Sequence, residues 1–236
     1  MKTLIFQYYI GKDLPEWAQI SKDRFKKYST ATNSDYFFTN SSTYSDNPYF
    51  ENLRVVYDSN FDDYDRILYV DVDVIPENFT ENIFEVDIKD IGMVPEYRPP
   101  GMNADPLFML PNYELNWRHI ALQNNIPVVT PKTVKANYLM FNSGVILWSK
   151  EGRYKARQRF SNWQVWNKQM NGLFSLDQPY LTGQTIKHLD YTELELKWNC
   201  FPRFRFYPDQ IPANINFVHY TGGKKQMIKG LYGNEN

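Results

Sequence analysis

The sequence predicts a single α/β domain, and three observations indicate this class. Residues 67–70 (ILYV) form an apolar run that is too short for a helix and rich in β-branched and aromatic side chains, as in a central strand covered on both faces. The preceding chain reads in the order strand, helix, strand, strand. The 236 residues, 42% of them hydrophobic, suffice for one substantial core.

The N-terminal part has the element order of a nucleotide-binding α/β half. Residues 2–10 (KTLIFQYYI) form the first strand, and Pro15 opens a helix that ends near Tyr28. Residues 35–39 and 53–57 are short strands on either side of a polar loop. The first strand is not followed by Gly-x-Gly-x-x-Gly or Gly-Lys-Ser/Thr, so neither the dinucleotide fingerprint nor a P-loop is present. The apolar face of the helix is formed by Trp17, Ile20, Phe25 and Tyr28.

The rest of the chain alternates between strands, helices and one long connection. Residues 95–111 are rich in Pro, Gly, Asn and Met, which favours either a binding loop or a solvated connection. Small polar residues at 141–144 interrupt the apolar run 137–148, as at a bulge or a place where a ligand approaches backbone. Strands are expected at 91–94, 193–196 and 215–219, and helices at 113–123 and 153–170, the latter with its tryptophans in the core.

Composition argues against several classes of partner and compartment. A net charge of −1 and a pI near 6.3 give no electrostatic reason to expect nucleic acid or an anionic membrane as partner. Cys200 is the one cysteine, which excludes an internal disulfide framework and fits a reducing compartment. The apolar N-terminal stretch is too short for a signal peptide or a membrane span. A cytoplasmic protein without a transmembrane segment is therefore expected.

Two acids directly follow the central strand. Asp71 and Asp73 alternate with valines, so their carboxylates are expected on the same side, where the strand stops. In open α/β sheets the strand ends are where ligands bind. Two like charges held together in an apolar setting favour a divalent cation between them. The alternative is a pair of solvated turn acids before Pro76.

A second polar cluster lies near the C-terminus, in residues 215–225 (INFVHYTGGKK). A glycine-rich turn with ammonium groups suits a diphosphate, which backbone N–H groups and point charges can wrap. His219, at the mouth of the strand, either completes a metal site with Asp71 and Asp73 or has a structural role. Ser175 and Gln178 have the spacing of a capping box, and Asp177 is also explained as an acid in a first helical turn.

Four motifs in this order resemble the retaining GT-A glycosyltransferases of family 8, which include glycogenin and bacterial lipopolysaccharide galactosyltransferases. They are Asp-Val-Asp at 71–73, Phe-Asn-Ser-Gly at 141–144, Leu-Asp-Gln at 176–178 and the histidine, glycine and lysine motif at 219–225. Together they span most of the chain. The resemblance implies one GT-A domain over residues 1–236, with a Rossmann-like mixed central sheet flanked by helices. Residues 1–75 are the nucleotide-binding half and residues 76–236 the half for donor sugar and acceptor.

The resemblance also implies roles for individual residues. Asp71, Asp73 and His219 hold Mn²⁺, with Mg²⁺ as the alternative, and the metal bridges the diphosphate of a UDP-sugar. Gly222 and Lys225 contact the phosphates, and Asp71 belongs to the nucleotide site as well. The donor sugar and the reacting face are lined by Asn142, Ser143, Asp177 and Gln178, of which Asn142, Asp177 and Gln178 are the expected catalytic residues.

The chain departs from the family pattern at three places. The first strand ends in Gln-Tyr-Tyr, so stacking of the base on Tyr8 or Tyr9 is the expectation there. A basic residue that precedes the acid pair in the family has no direct match, and Arg54 and Arg66 are the nearby candidates. The family's Lys-Pro-Trp ending is reduced to Lys-Gln-Met at 225–227.

The function that follows is metal-dependent, retaining transfer of a hexose, glucose or galactose, from a UDP-sugar to an acceptor. Asp177 is the candidate carboxylate and Gln178 the candidate amide at the reacting centre. Two alternatives stay open: a haloacid-dehalogenase-like phosphatase that uses Asp71 and Asp73, and a nucleotide-sugar binding protein without turnover. Nothing in the sequence discriminates a glycan, lipid-linked saccharide, protein or small-molecule acceptor, or sets the oligomeric state.

Overall fold

A mixed β-sheet forms the centre of the molecule. The structure, a computed structural model, describes residues 1–42, 44–95, 141–169, 177–202 and 214–233. Within these residues a six-stranded sheet has the order β2-β1-β3-β6-β5-β7, and β4 pairs with β8 in a separate two-stranded sheet. The strands are β1 Thr3–Tyr8, β2 Asp35–Thr39, β3 Arg66–Val70, β4 Val74–Pro76, β5 Ile91–Pro95, β6 Phe141–Ser149, β7 Tyr191–Glu193 and β8 Phe217–His219.

The direction of the strands divides the sheet into two parts. Strands β2, β1 and β3 are parallel, as in a nucleotide-binding half. Strand β6 runs antiparallel to both β3 and β5, and β7 is parallel to β5. The sheet is therefore mixed, and its central strand β3 is paired on both edges, as the apolar run at 67–70 predicts.

Helices cover both faces of the sheet. They are α1 Glu16–Ala31, α2 Arg54–Tyr57, α3 Lys150–Arg159, α4 Trp163–Gln169, α5 Asp177–His188 and α6 Gln226–Tyr232. Side chains alternate along β3, so that Ile67 and Tyr69 pack in one apolar cluster and Leu68 and Val70 in another. The second cluster contains Phe25 and Tyr28 of α1, and the first contains Trp163 and Trp166 of α4. These tryptophans are buried, which confirms their predicted place in the core.

The predicted strand at 53–57 is wrong. A 3₁₀ helix, Pro48–Leu53, leads directly into α2. Asn47 caps it by accepting a hydrogen bond from the Tyr49 backbone N–H, and Pro48 occupies the first turn, both of which favour a helix start. The adjacent valines, whose β propensity suggested a strand, are buried against the core, and tertiary packing outweighs that propensity.

The predicted helix at 153–170 is two helices. The first begins at Lys150, where the Ser149 hydroxyl accepts from the Gly152 N–H at 2.9 Å. It ends before Phe160, and Asn162 opens the second by accepting from the Val165 N–H at 3.1 Å. The predicted strand at 193–196 is displaced, since β7 ends at Glu193 and a 3₁₀ turn, Leu196–Trp198, follows.

Some predicted elements lie outside the described residues. These are the loop 95–111 beyond Pro95, the helix 113–123, and Ser175 of the predicted capping box. None of the helices in the described part of the chain has the length and apolar character needed to cross a membrane.

Candidate metal centre

The acid pair lies at the turn between β3 and β4. The backbone N–H of Asp71 donates to the Gly144 carbonyl at 2.9 Å, and Val74 donates back to the Asp71 carbonyl at 3.1 Å, which closes the turn. Strand β4 pairs with β8, and Val74 lies opposite His219 in that pairing. The small sheet therefore brings the C-terminal histidine beside two acids that precede it by almost 150 residues.

The three side chains converge on one point. His219 Nε2 lies 3.1 Å from Asp73 Oδ1 and 3.7 Å from Asp71 Oδ2. One ligand atom from each of Asp71, Asp73 and His219 lies within 4.8 Å of the others. Asp73 and His219 are buried, whereas the Asp71 side chain is 36% exposed and opens the cluster to solvent. Two carboxylates and an imidazole are a donor set that fits a divalent metal such as Mn²⁺.

Gly144 makes room for this cluster. A Cβ on Gly144 would lie 2.7 Å from Nδ1 of His219 and 3.0 Å from Oδ2 of Asp71, and closer still to Cε1 of the imidazole. Any larger residue would push the ring off the two acids. The glycine of the Phe-Asn-Ser-Gly motif is thus explained by the close approach of the imidazole to the backbone of β6.

Lys225 brings a positive charge to the same cluster. Its Nζ lies 2.9 Å from Asp73 Oδ2 and 5.1 Å from the centre of the Trp17 ring. It ends a 3₁₀ turn, Gly222–Lys225, in which Gly222 has a φ of +62°. A side chain is rarely tolerated at that φ, whereas glycine adopts it freely.

Three neighbouring side chains contact the candidate metal ligands Asp71 and His219. The Tyr69 hydroxyl donates to Asp71 Oδ1, which leaves Oδ2 facing the histidine. Asn199 Oδ1 lies 3.0 Å from His219 Nδ1, so Nε2 faces the acids. The Phe201 ring stacks on the imidazole with a centroid distance of 5.3 Å.

A second group of polar side chains lies next to the cluster. Asn142 Nδ2 donates to Gln178 Oε1 at 3.3 Å. Asp177, the first residue of α5, is buried, and its Oδ2 accepts from Asn52 Nδ2 at 2.9 Å. Ser143 also hydrogen-bonds to Asp177. Asn142 and Ser143 are therefore in contact with Gln178 and Asp177, respectively.

The two acids of the cluster differ in proton affinity. Partial burial and the negative charge of Asp73 raise the pKa of Asp71. Burial opposes ionisation of Asp73, but His219 and Lys225 outweigh it and lower the pKa of that carboxyl. Burial likewise opposes the imidazolium form of His219, and Asp73 outweighs it, so the pKa of His219 is raised. Positive charge beside Asp73 is therefore favoured, and the charge of His219 and of Lys225 supplies it.

Asp177 is more strongly perturbed. Burial is the main cause and the charge of Asp71 adds to it, while the hydrogen bond from Ser143 opposes both, and the pKa of Asp177 is raised to about 7. A buried carboxyl with such a pKa beside a polar cluster is typical of functional sites.

The two tyrosines predicted to stack on the base, Tyr8 and Tyr9, pack against different aromatic rings. Tyr8 stacks on Tyr69 with a centroid distance of 5.8 Å, so one face of its ring is covered. Tyr9 meets the Trp17 ring edge-on at 6.1 Å, which places it near Lys225.

The basic candidates Arg54 and Arg66 are engaged elsewhere. Arg54 Nε lies 3.0 Å from Asp58 Oδ2, and Arg66 Nη1 donates to the carbonyls of Phe84 and Val86 at 2.7 and 2.6 Å. It is Asn52, two residues before Arg54, that contacts Asp177.

Sequence reasoning missed Asn52, Tyr69 and Asn199. Tyr69 had a usable signal, since it precedes Asp71 by two residues and so shares its side of the strand. Asn52 and Asn199 carry no local signal, because each meets its partner only through the fold.

The chain is similar to known proteins in its sequence pattern and in its fold. A family model described as "Glycosyl transferase family 8" matches residues 11–226. A comparison with curated protein sequences finds no match.

Solved structures share the fold at low sequence identity. A glycosyltransferase involved in the glycosylation of the major capsid of PBCV-1 is 14% identical, with a TM-score of 0.58, 98% of this chain and 100% of that chain covered. Mouse xyloside xylosyltransferase 1 is 14% identical, with a TM-score of 0.58 and coverage of 95% and 99%. The galactosyltransferase LgtC, solved with donor and acceptor sugar analogues, is 15% identical, with a TM-score of 0.55 and coverage of 98% and 95%.

At these identities the structural similarity establishes the fold alone. The neighbours are GT-A glycosyltransferases, so the predicted GT-A fold with a mixed central sheet is confirmed. Neither the family model nor the similar solved structures support the phosphatase alternative.

Proposed function

The chain belongs to glycosyl transferase family 8, and from this premise we propose that it transfers a hexose, glucose or galactose, from a UDP-sugar with retention of configuration and with the help of a divalent metal. The observation that carries the proposal is the convergence of Asp71, Asp73 and His219, with the Lys225 ammonium beside them. Two carboxylates held within 4.8 Å of each other and of an imidazole favour a cation between them.

Asp71, Asp73 and His219 hold the cation in this proposal. An imidazole nitrogen beside two carboxylates suits Mn²⁺ better than Mg²⁺, which prefers oxygen ligands and water. When bound, the cation neutralises charge on the diphosphate leaving group. Lys225 supplies a second positive charge without proton transfer, and the backbone N–H groups of the turn at Gly222 face the phosphates.

Asp177 and Gln178 act at the anomeric carbon. The bond from this carbon to the diphosphate breaks, and its electron pair leaves with UDP. The acceptor hydroxyl oxygen bonds to the same face, either directly or after a transient adduct with a side chain, and the hydroxyl proton passes to the departing diphosphate. Asp177 is the candidate carboxylate, since its buried carboxyl has a raised pKa and is held by Asn52. Gln178 is the candidate amide, oriented by Asn142, and Ser143 completes the wall on the donor-sugar side.

Tyr9 is the proposed stacking partner of the base, with Tyr8 beside it. Tyr9 is next to Trp17, whose ring lies below Lys225, so a base there would be close to the proposed phosphate contacts. The cytoplasm is the proposed location, based on the single cysteine.

The experiment that tests the function is release of UDP from UDP-glucose, UDP-galactose and UDP-xylose, with Mn²⁺, with Mg²⁺ and with a chelator. UDP-xylose is included because one structural neighbour is a xylosyltransferase. We expect Mn²⁺-dependent release from a UDP-hexose. A thermal shift with Mn²⁺ and a UDP-sugar but no release of UDP, even with added acceptors, would instead favour the binding protein without turnover.

The variant Asp73→Asn tests the site itself. It keeps the shape of the side chain but removes the charge shared by His219 and Lys225, and we expect release to fall by about 10²-fold or more. The matched control is Asp62→Asn, an acid paired with Arg157 away from the cluster. If Asp73→Asn kept near-normal Mn²⁺-dependent turnover, the site assignment would be wrong.

A further inference from the structure

Asn199 is a buried amide directly behind the metal-facing imidazole. Its side chain is fully enclosed, with 0% of its surface exposed. Oδ1 lies 3.0 Å from His219 Nδ1, and Nδ2 donates to Asn142 Oδ1 at 2.7 Å. One amide thus bridges the candidate metal ligand and a residue of the proposed sugar side.

A backbone N–H determines the direction of every hydrogen bond in this network. The Gly144 N–H donates to Asn142 at 2.9 Å, and a backbone N–H can only donate, so the atom it meets is the carbonyl oxygen Oδ1. The Asn199 atom that faces this oxygen must therefore be its NH₂ group. The other end of the Asn199 amide is then a carbonyl oxygen, which can only accept.

This direction determines the tautomer of His219. Because Asn199 presents an oxygen to Nδ1, Nδ1 must carry the proton. Without a cation, Nε2 donates to Asp73 Oδ1 at 3.1 Å. When a cation takes the place of that proton, it meets the lone pair of Nε2, the nitrogen that lies 3.7 Å from Asp71 Oδ2. A cation between these acids needs that lone pair, and the other tautomer would direct an N–H at the cation.

We propose that Asn199 is a positioning residue that holds His219 in the Nδ1–H tautomer and so makes Nε2 the metal-binding nitrogen. The inference rests on the proposed metal-dependent function. Groups that hydrogen-bond to the second nitrogen of a ligating histidine commonly affect metal affinity by about 10- to 100-fold.

The same network reaches the candidate catalytic amide. With Oδ1 of Asn142 assigned as the acceptor, its Nδ2 is the donor to Gln178 Oε1 at 3.3 Å. Asn199 therefore also supports the orientation of Gln178 through Asn142. The metal-facing ring and the sugar-facing amide share one rigid support.

The tautomer separates this role from a merely structural one. Phe201 stacks on the imidazole, so the plane of the ring has a second support that does not depend on protonation. If Asn199 is replaced by leucine, of similar size, Nδ1 has no acceptor while Nε2 keeps Asp73 Oδ1 at 3.1 Å, so the neutral ring favours the Nε2–H tautomer, which directs no lone pair at a cation. Asn199→Asp keeps an oxygen opposite Nδ1 and should retain the original tautomer.

The test is long-range ¹⁵N–¹H NMR of the full chain with Zn²⁺, a diamagnetic cation that carboxylates and imidazole bind, at a concentration that saturates the wild type. The chain has three histidines, and a His219→Gln variant identifies the signal. We expect a proton on Nδ1 alone in the wild type and in Asn199→Asp, and a proton still on Nε2 in Asn199→Leu. A wild type that keeps its Nε2 proton, or an Asn199→Leu variant that loses it at the same Zn²⁺ concentration, would overturn the proposal.

Titration with Mn²⁺ followed by electron paramagnetic resonance, without nucleotide, gives the second readout. Asn199→Leu should bind Mn²⁺ about 10- to 100-fold more weakly than the wild type. The control is Gln184→Leu, a buried amide that accepts from the Ser161 N–H at 2.9 Å, and it should leave both readouts unchanged. Equal Mn²⁺ affinity in Asn199→Leu and the wild type would contradict the proposal. A wild type that binds neither Mn²⁺ nor Zn²⁺ would refute the metal-dependent function and the role of Asn199 with it, whereas metal binding that does not depend on Asn199 would refute that role alone.

Discussion

Replacing Asp177 by asparagine should stabilise the folded protein, and increasingly so as the pH rises. The carboxyl is buried, and its pKa is raised from 3.8 to about 7. Asparagine has nearly the same shape, and its Oδ1 can still accept the hydrogen bond from Asn52 Nδ2. The substitution therefore removes mainly the cost of a buried charge.

The sign and size follow from proton linkage. Because the folded pKa of Asp177 exceeds the unfolded one, its favourable contribution is fully present below pH 3.8 and is lost as the pH rises to about 7. A shift of about three units corresponds to about 4 kcal/mol at most. Roughly 2–3 kcal/mol of this is lost between about pH 5 and about pH 8.

The assay is urea unfolding of the wild type and of Asp177→Asn at about pH 5 and at about pH 8, with a chelator present. The free energy of unfolding of the wild type is subtracted from that of the variant, which cancels all groups that titrate alike in the two proteins. This difference should increase by about 2 kcal/mol or more between about pH 5 and about pH 8. Asp62→Asn is the control, since Arg157 lowers the pKa of Asp62 and both states are ionised throughout. A difference that does not change with pH would refute the raised pKa of Asp177.

Three further substitutions test the cluster. Gly144→Ala places a methyl group 2.7 Å from Nδ1 of His219, so the affinity for Mn²⁺, measured by calorimetry, should fall at least about tenfold. Unchanged affinity would show that the imidazole is not held against β6. Tyr69→Phe removes the hydrogen bond to Asp71 and should weaken Mn²⁺ binding by about tenfold, with little change in melting temperature. Unchanged affinity for Mn²⁺ would mean that the Tyr69 hydroxyl does not orient Asp71 for the metal. Lys225→Met should keep Mn²⁺ binding but slow UDP release by about 10²–10³-fold, and normal release would remove Lys225 from the phosphate contacts.

Much of the fold was predictable because its signals are local. The apolar run of β3, the strands β1 and β2 and the start of α1 follow from periodicity and from Pro15, and the structure confirms them. Errors arose where propensity and packing disagree. The valines of α2 favour a strand in isolation, whereas Asn47 and Asn162, a residue type common at helix caps, mark the helix starts that the structure shows.

The motif residues of the site were predictable, whereas the residues that hydrogen-bond to them were less so. Asp71, Asp73 and His219 were identified from residue type and order, and the structure brings them together. Their roles remain predictions. Asn52 and Asn199 were not found, because an asparagine has no distinctive local pattern and its importance depends on which group lies opposite.

Residue chemistry and short-range order were enough to indicate an α/β fold, an acid pair at the end of a central strand and a cationic glycine turn, since each depends on neighbours within a few positions. Contacts between distant segments needed the folded chain. The Asn52–Asp177 hydrogen bond spans 125 positions, and His219 reaches the acids only because β8 pairs with β4. Which end of the Asn199 amide meets that imidazole depends on a backbone N–H in another strand, and such relations exist only once backbone and side chains are packed together.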